Sequence, residues 1–298
     1  MIDTADVAPD GGSAAAGSSR WSIVVGVFAE NRLAVAGLAV IIFFLLFCFV
    51  GPLVYQTNQV ATNVAGANLA PSHTHLLGTD SVGYDELGRL MAGGQVTLLV
   101  ALAVAVMATS FGLVWGAVAA ISGGVVDGVM MRIVDACLAI PSLFLLIFLD
   151  AILRPSVIVL MFVITALAWL VPSRLVRAEV LSLRTRTFVE ASRAAGAGSV
   201  RILVRHLVPN VIGTVAVNAT FQVADAVLTI AALSFLGLGI PPPAANWGSM
   251  LANGVSYVFA GYWWQIWPAG VCVVAVVVAF NFLGDGLRDA VDIRLQRR

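Results

Sequence analysis

Lysine is absent: all sixteen basic residues of the 298-residue chain are arginines. A Walker A loop needs its lysine on the nucleotide phosphates, and Schiff-base chemistry needs a lysine amine. The chain should therefore neither hydrolyse ATP by the P-loop route nor hold a substrate as an imine. Charge is scarce as well, at 11% of residues, against about a quarter in soluble domains. Sixteen acidic residues cancel the arginines, so there is no electrostatic footprint for nucleic acid. The three cysteines, Cys48, Cys137 and Cys272, sit in apolar blocks without a CxxC spacing. They read as small buried hydrophobes and not as a disulfide or metal framework. Residues 1–20 lack the basic start and short apolar core of a secretory leader. They are rich in Gly, Ala, Ser and Asp and read as an unstructured tail.

What is present is apolar sequence, 60% of the chain, much of it in uncharged runs of about 20 residues that suit membrane helices. The pattern predicts an all-α integral membrane protein with six transmembrane helices. A tail and lead-in helix (1–32, with Trp21 at the interface) precedes the first span, 33–55, and a polar stretch, 56–94, forms an extracytoplasmic loop that packs as a small cap. A core follows over 95–286, with spans near 95–121, up to 153, 156–172, 211–238 and 262–283, and the tail is 287–298. Pro141 should kink or break the third span. Arg154-Pro155 makes a tight turn, and Gly112 and Gly116 are spaced for close helix packing.

Fourteen arginines fall in segments on the side of the N-terminus, and only Arg89 and Arg154 fall on the other. The positive-inside rule then places both termini and the basic segments in the cytoplasm. The aromatic cluster Trp247, Tyr257, Tyr262, Trp263, Trp264 and Trp267 is expected at the outer interface.

The most polar and basic stretch is Glu190 to Pro209, EASRAAGAGSVRILVRHLVP, within the segment 184–210. Two short helices can be read there, the first ending near Gly196 and Gly198, where a left-handed backbone costs little. In the second, Val200, Leu203, Val204 and Leu207 recur at the spacing of one apolar face, with Arg201 and Arg205 opposite. Pro209 is expected to mark a boundary. Such a unit suits docking to a soluble partner; an amphipathic loop lying on anionic membrane lipid is the alternative.

Glu190-Ala191-Ser192, with Gly196 and Pro209 at the matching intervals, resembles the EAA loop of ABC importer permeases. Further blocks narrow the likeness: His75 to Asp80 with Gly88-Arg89, Met131 to Asp135 running to Ile140-Pro141, Ser234 to Gly239, Pro242-Pro243 before Trp247-Gly248, and Gly284 to Asp289. Together they resemble the C-type permease subunit of oligopeptide and dipeptide importers. Relatives often carry an acidic residue just before the Ser234 block, where this chain has Ile230. The resemblance implies a type I ABC importer permease (MetI-like) fold in the bacterial plasma (inner) membrane. It further implies a B-type permease as heterodimer partner, two ATPase subunits or one fused ATPase, and an extracytoplasmic solute-binding protein. On that reading Glu190, Ala191, Ser192, Arg193, Gly196, Arg201, Arg205 and Pro209 couple to the ATPases. This chain then carries no catalytic residue and binds no cofactor, the ATP and Mg being used by the partners. The cargo implied is di- and oligopeptides, with nickel complexes, glutathione or haem as alternatives in the same family. A proton-coupled secondary transporter relaying through Asp225 and Asp135 is the alternative from another class.

Other polar residues are weighed on their own chemistry. Thr214, Asn218, Gln222, Asp225 and Thr229 recur every three or four residues in an apolar span. They form a stripe that either bonds neighbouring helices or lines a peptide pathway. Arg132 and Asp135 are spaced as a local pair, Asp150 is interfacial, and Arg288, Asp289 and Asp292 read as membrane-edge charges. His73 and His75 lack the further ligands a metal needs.

Overall fold

The computed structural model describes residues 26–153 and 156–296, the side chains of Asp150 and of residues 292–296 excepted. The N-terminal tail with Trp21, the Arg154-Pro155 turn and the charges of Asp150 and Asp292 lie outside the described residues. Residues 26–30 are helical, in keeping with a lead-in helix. Asn31 separates them from helix α1 (Arg32–Phe49), its side chain accepting from the Leu33 and Ala34 amides at 3.1 and 3.2 Å. A turn of helix, Gly51–Val54, completes this first span.

Helix α2 (Glu86–Ser122) has 37 residues and is therefore about 55 Å long. It starts at Glu86 and not at 95, because hydropathy discounts a first turn that carries Glu86 and Arg89. Both are buried against the preceding loop, and Asp85 caps the helix by accepting from the Gly88 amide at 2.8 Å. Two glycines with positive φ, Gly123 (62°) and Gly124 (54°), turn the chain into helix α3 (Gly124–Leu138). Helix α4 (Ser142–Ile152) follows Pro141 at a bend of 81°, so the break predicted at that proline is present. Helices α5 (Val157–Ala168) and α6 (Leu170–Leu183) form one 27-residue span.

That fourth span was expected to stop at 172. It continues because Ser173 is fully buried with its hydroxyl donating to the Leu170 carbonyl at 2.7 Å, while the arginines beyond it pair with α3. Arg177 meets Asp127 in a two-pronged contact of 2.6 and 2.7 Å, and Arg174 pairs with Asp135. The local Arg132–Asp135 pair expected from their spacing does not form; Asp135 turns to the neighbouring helix instead.

After α6 come α7 (Thr187–Ala194), α8 (Ser199–Ile202) with a π turn over Leu203–Leu207, and α9 (Val208–Phe235). Helix α10 (Trp247–Val255) and α11 (Trp267–Gln296) complete the described chain. Five helical runs are long and apolar enough to cross a membrane, and a sixth arises if α3 and α4 count as one broken span.

Helix α2 is the central post. It packs most extensively on α6, then on α9 and α5, while α1 packs on α11. The Gly112/Gly116 spacing serves this contact: a Cβ at Gly112 would lie 2.7 Å from the Pro172 side chain, and one at Gly116 would meet the Ser173 carbonyl. Small residues here let α2 and α6 approach, the means by which helices associate where lipid removes the hydrophobic drive. Ile230, just before the Ser234 block, is fully buried in the main apolar core.

Trp247 is not an interfacial residue. It has no exposed surface; its indole NH donates to the Leu90 carbonyl at 2.9 Å, and Phe44 meets it edge to face at 5.7 Å. Trp264 is also buried, donating to the Thr79 carbonyl at 3.1 Å, whereas Trp263 and Trp267 are exposed. Composition alone does not separate an indole on a belt from one that fills a core.

Candidate functional site: a basic elbow and a polar stripe

The elbow is built on the far end of α2. The Arg184 guanidinium donates to the Ala120 carbonyl, one of the carbonyls that a helix end leaves unpaired. A small apolar core, Val176, Val180, Val189, Ile202, Leu207 and Val211 with Ala117 and Ala120, joins α7 and α8 to α2, α6 and α9. Arg89 lies in the first turn of α2 and Arg184 contacts its last turn, so the two sit at opposite ends of the bundle, as their opposite assignments require.

Helix α7 ends in a Schellman motif. The Gly196 amide donates to the Arg193 carbonyl at 2.9 Å and the Ala197 amide to the Ser192 carbonyl at 3.0 Å, with Gly196 at φ 82°. Only glycine takes that conformation without strain, and nothing lies within 4 Å of a Cβ placed there. Gly196→Val should thus cost about 1–2 kcal/mol of local backbone strain with no clash. The expected outcome is normal membrane levels with reduced transport, read by uptake against quantified protein. Loss of the folded protein would mean that the turn serves packing.

Along the elbow, Glu190, Ala191, Arg193, Arg201, Arg205 and Pro209 are exposed and Ser192 is half-buried, its hydroxyl donating to the Phe188 carbonyl at 2.8 Å. Ser192, Ala195, Ala197, Arg201, Arg205 and His206 line a shallow concavity of about 340 Å³. The apolar face differs from the sequence expectation. Leu207 is buried as expected, but Val200 and Val204 are 72% and 63% exposed, and Ile202, five residues before Leu207, is buried instead. The π turn between them adds a residue to the repeat and rotates the buried face.

Pro209 does not end the helix either: the run Ser199–Phe235 continues through it. The wide turn lets the Val208 amide reach the Leu203 carbonyl, and the Asn210 amide group donates to the His206 carbonyl at 2.6 Å. The helix is therefore hydrogen-bonded on both sides of Pro209, although that residue itself has no N–H to give.

The polar residues of α9 lie on one face but meet two different cavities. Gln222, Asp225 and Thr229 line one of about 360 Å³ beside the α3–α4 break, together with Cys137, Ser142 and Leu170. Gln222 donates to the Ala168 carbonyl at 2.6 Å, where α5 gives way to α6, so it bonds a neighbouring helix as well as lining space. The Thr229 hydroxyl donates to the Asp225 carbonyl at 2.8 Å, and the Asp225 side chain is exposed. Thr214 and Asn218 line a second cavity, also about 360 Å³, with Glu179 and Arg288. Glu179 was not singled out by sequence; a lone acid in an arginine-rich stretch gives no periodic signal.

At the other end of α2 the loop packs as a small cap, as its length suggested. Asp85 accepts from Tyr55 at 2.8 Å and contacts His75 Nδ1 at 2.9 Å. Burial, and then this carboxylate, raise the Tyr55 hydroxyl above the usual phenol range. Asp80 accepts from the Val82 and Tyr84 amides at 3.0 and 2.8 Å and faces Arg89 at 3.6 Å, whose guanidinium lies 4.4 Å from the Tyr84 ring centre. His75 is thereby engaged with a carboxylate, and no group of three metal donors occurs among the described residues.

Residues 112–297 match the family model described as binding-protein-dependent transport system inner membrane component, and residues 19–71 match that of the N-terminal TM domain of oligopeptide transport permease C. The chain is 36% identical over 280 residues to the oligopeptide transport system permease protein OppC of Bacillus subtilis, covering 94% of this chain and 91% of that one. It is 37% identical over 278 residues to OppC of Escherichia coli, covering 93% and 92%. To the dipeptide transport system permease protein DppC of B. subtilis it is 35% identical over 268 residues, covering 90% and 84%.

Proposed function

Because the chain belongs to the family of binding-protein-dependent transport system inner membrane components, we propose that it is one transmembrane permease subunit of an ATP-driven importer of di- and oligopeptides. It forms half of the translocation pathway and takes its force from separate ATPase subunits through the elbow 184–210. The observation that carries the coupling role is mechanical. An exposed basic elbow is fastened to three spans at once, by the Val189–Ile202–Leu207 core and by Arg184 on the end of α2. A push on α7 then moves α2, α6 and α9 together, as a lever should in alternating access.

The likeness to oligopeptide and dipeptide permeases supports peptide cargo, and their partners supply the rest. These are a B-type permease, two ATPase subunits or one fused ATPase, and an extracytoplasmic binding protein. ATP and Mg are used in those ATPases. The chain itself does not hydrolyse ATP by the P-loop route, since it has no lysine for that loop. Both termini and the elbow face the cytoplasm of a bacterial inner membrane, the arrangement that the arginine distribution favours. In the pathway, Gln222, Asp225 and Thr229 face cargo beside the α3–α4 break, and Thr214 and Asn218 lie below them.

The test is affinity purification of the intact complex through this chain, reconstitution in vesicles, and ATPase measurement with binding protein and peptides. Peptide-stimulated hydrolysis with uptake is expected. Uptake by vesicles holding this chain without any ATPase subunit would sink the proposal.

A further inference from the structure

The two cavities along α9 differ in what lines them, and the lower one holds charges that the pathway reading has not used. It lies between α6, α9 and α11 at the elbow end of the bundle, lined by Glu179, Thr214, Asn218, Phe221 and Arg288 among others. Glu179 is half-buried and makes no ion pair among the described residues. A carboxylate drawn partly out of water without a cation loses hydration that nothing returns. Asn218 adds a second unmet group: its Oδ1 is buried and has no hydrogen-bond partner, where buried polar atoms as a rule have one. Arg288 also lines this wall and has a partner of its own. A cavity of about 360 Å³ falls in the size range of small-molecule sites.

An acid and an amide oxygen that both want a donor fit a small ligand that carries an ammonium group. We propose that this cavity is an exit station for the cargo, in which Glu179 and Asn218 receive the α-ammonium of a short peptide. The inference rests on the peptide-import reading and adds to it a recognition site distinct from Asp225. The Gln222 side chain, bonded to the Ala168 carbonyl, stands between Asn218 and Asp225 on α9, so one amino terminus passes from the upper acid to the lower. Both stations present a carboxylate to the same end of the peptide. That similarity keeps the transfer near level in free energy, as a conducting path needs: binding firm enough to enter and weak enough to leave.

The experiment is equilibrium titration of the purified complete complex, without nucleotide or binding protein, with glycyl-leucine and with N-acetyl-glycyl-leucine. Free dipeptide is expected to bind, and acetylation or Glu179→Gln is each expected to weaken binding about tenfold or more, the worth of a charged hydrogen bond. Glu179 has no ion pair among the described residues to lose, so the variant should fold; size-exclusion profiles check this. Three results overturn the inference: no binding of free dipeptide at millimolar concentration, equal binding of the acetylated peptide, or binding untouched by Glu179→Gln. Loss on Asp225→Asn alone also overturns it, since the ammonium then sits in the upper cavity. Peptide-stimulated ATPase activity on the same preparation reports the import reading separately. If hydrolysis responds to peptide while Glu179 is inert, only the exit station falls.

Discussion

Reversing the charge of Glu190 leaves the chain folded in the membrane and uncouples it: Glu190→Lys is expected to cut ATP-dependent peptide uptake by on the order of tenfold or more. Glu190 lies in the first turn of α7 and is exposed, so its loss removes no internal contact. Its acidic group also suits the helix N-terminal end, where the backbone dipole favours negative charge, but that contribution is small and screened. A large effect must therefore come from a partner across an interface, where inverting one member of a charge pair costs far more than on a free surface.

The uptake assay is paired with ATPase activity of the reconstituted complex. Uncoupled hydrolysis, or loss of the ATPase subunits on purification, both agree with the coupling role. Normal uptake with normal subunit recovery shows that α7 is not the lever. Glu190→Gln sorts charge from shape, since it keeps the side chain's size and should fall between wild type and the reversed variant.

Trp247→Ala is the variant expected to harm folding most. The side chain is the largest of those fully buried. It closes on Gly94, where a Cβ would lie 2.7 Å from the indole ring, and it contacts Phe44 of α1. Truncating such a residue removes its burial and leaves a cavity, typically about 3–5 kcal/mol. α10 then loses its hold on the start of α2, where its NH met the Leu90 carbonyl. Trp247→Phe keeps most of the ring and gives up the hydrogen bond, a loss of about 1 kcal/mol. Thermal melts of the detergent-purified protein should show a large drop for Ala and a small one for Phe. Equal melting of Trp247→Ala and wild type would place this residue at the lipid interface after all, as the sequence pattern had it.

The elbow shows how far sequence reaches. Its position, its glycine turn and its exposed Glu190 and arginines were legible, because each depends on local chemistry: a charge run between apolar blocks, and a residue without Cβ where φ is positive. The buried face of α8 was not. The spacing pointed to Val200, Leu203, Val204 and Leu207; Leu207 is buried, but with the π turn Val200 and Val204 are exposed and Ile202 is buried in their place. A proline at 209 predicts a stop, yet the same wide turn carries the helix through it.

The amino-acid order by itself determined the membrane character, the approximate placement of the spans though not their ends, the break at Pro141 and the family, because hydropathy, composition and motif spacing are properties of the chain. Tertiary structure alone decided which polar groups meet. Asp135 found Arg174 on another helix and not Arg132 on its own, Trp247 became core, and one polar stripe was divided between two cavities. Pairings of that kind depend on which helix faces compete for the same partner, and the competition exists only once the helices have packed.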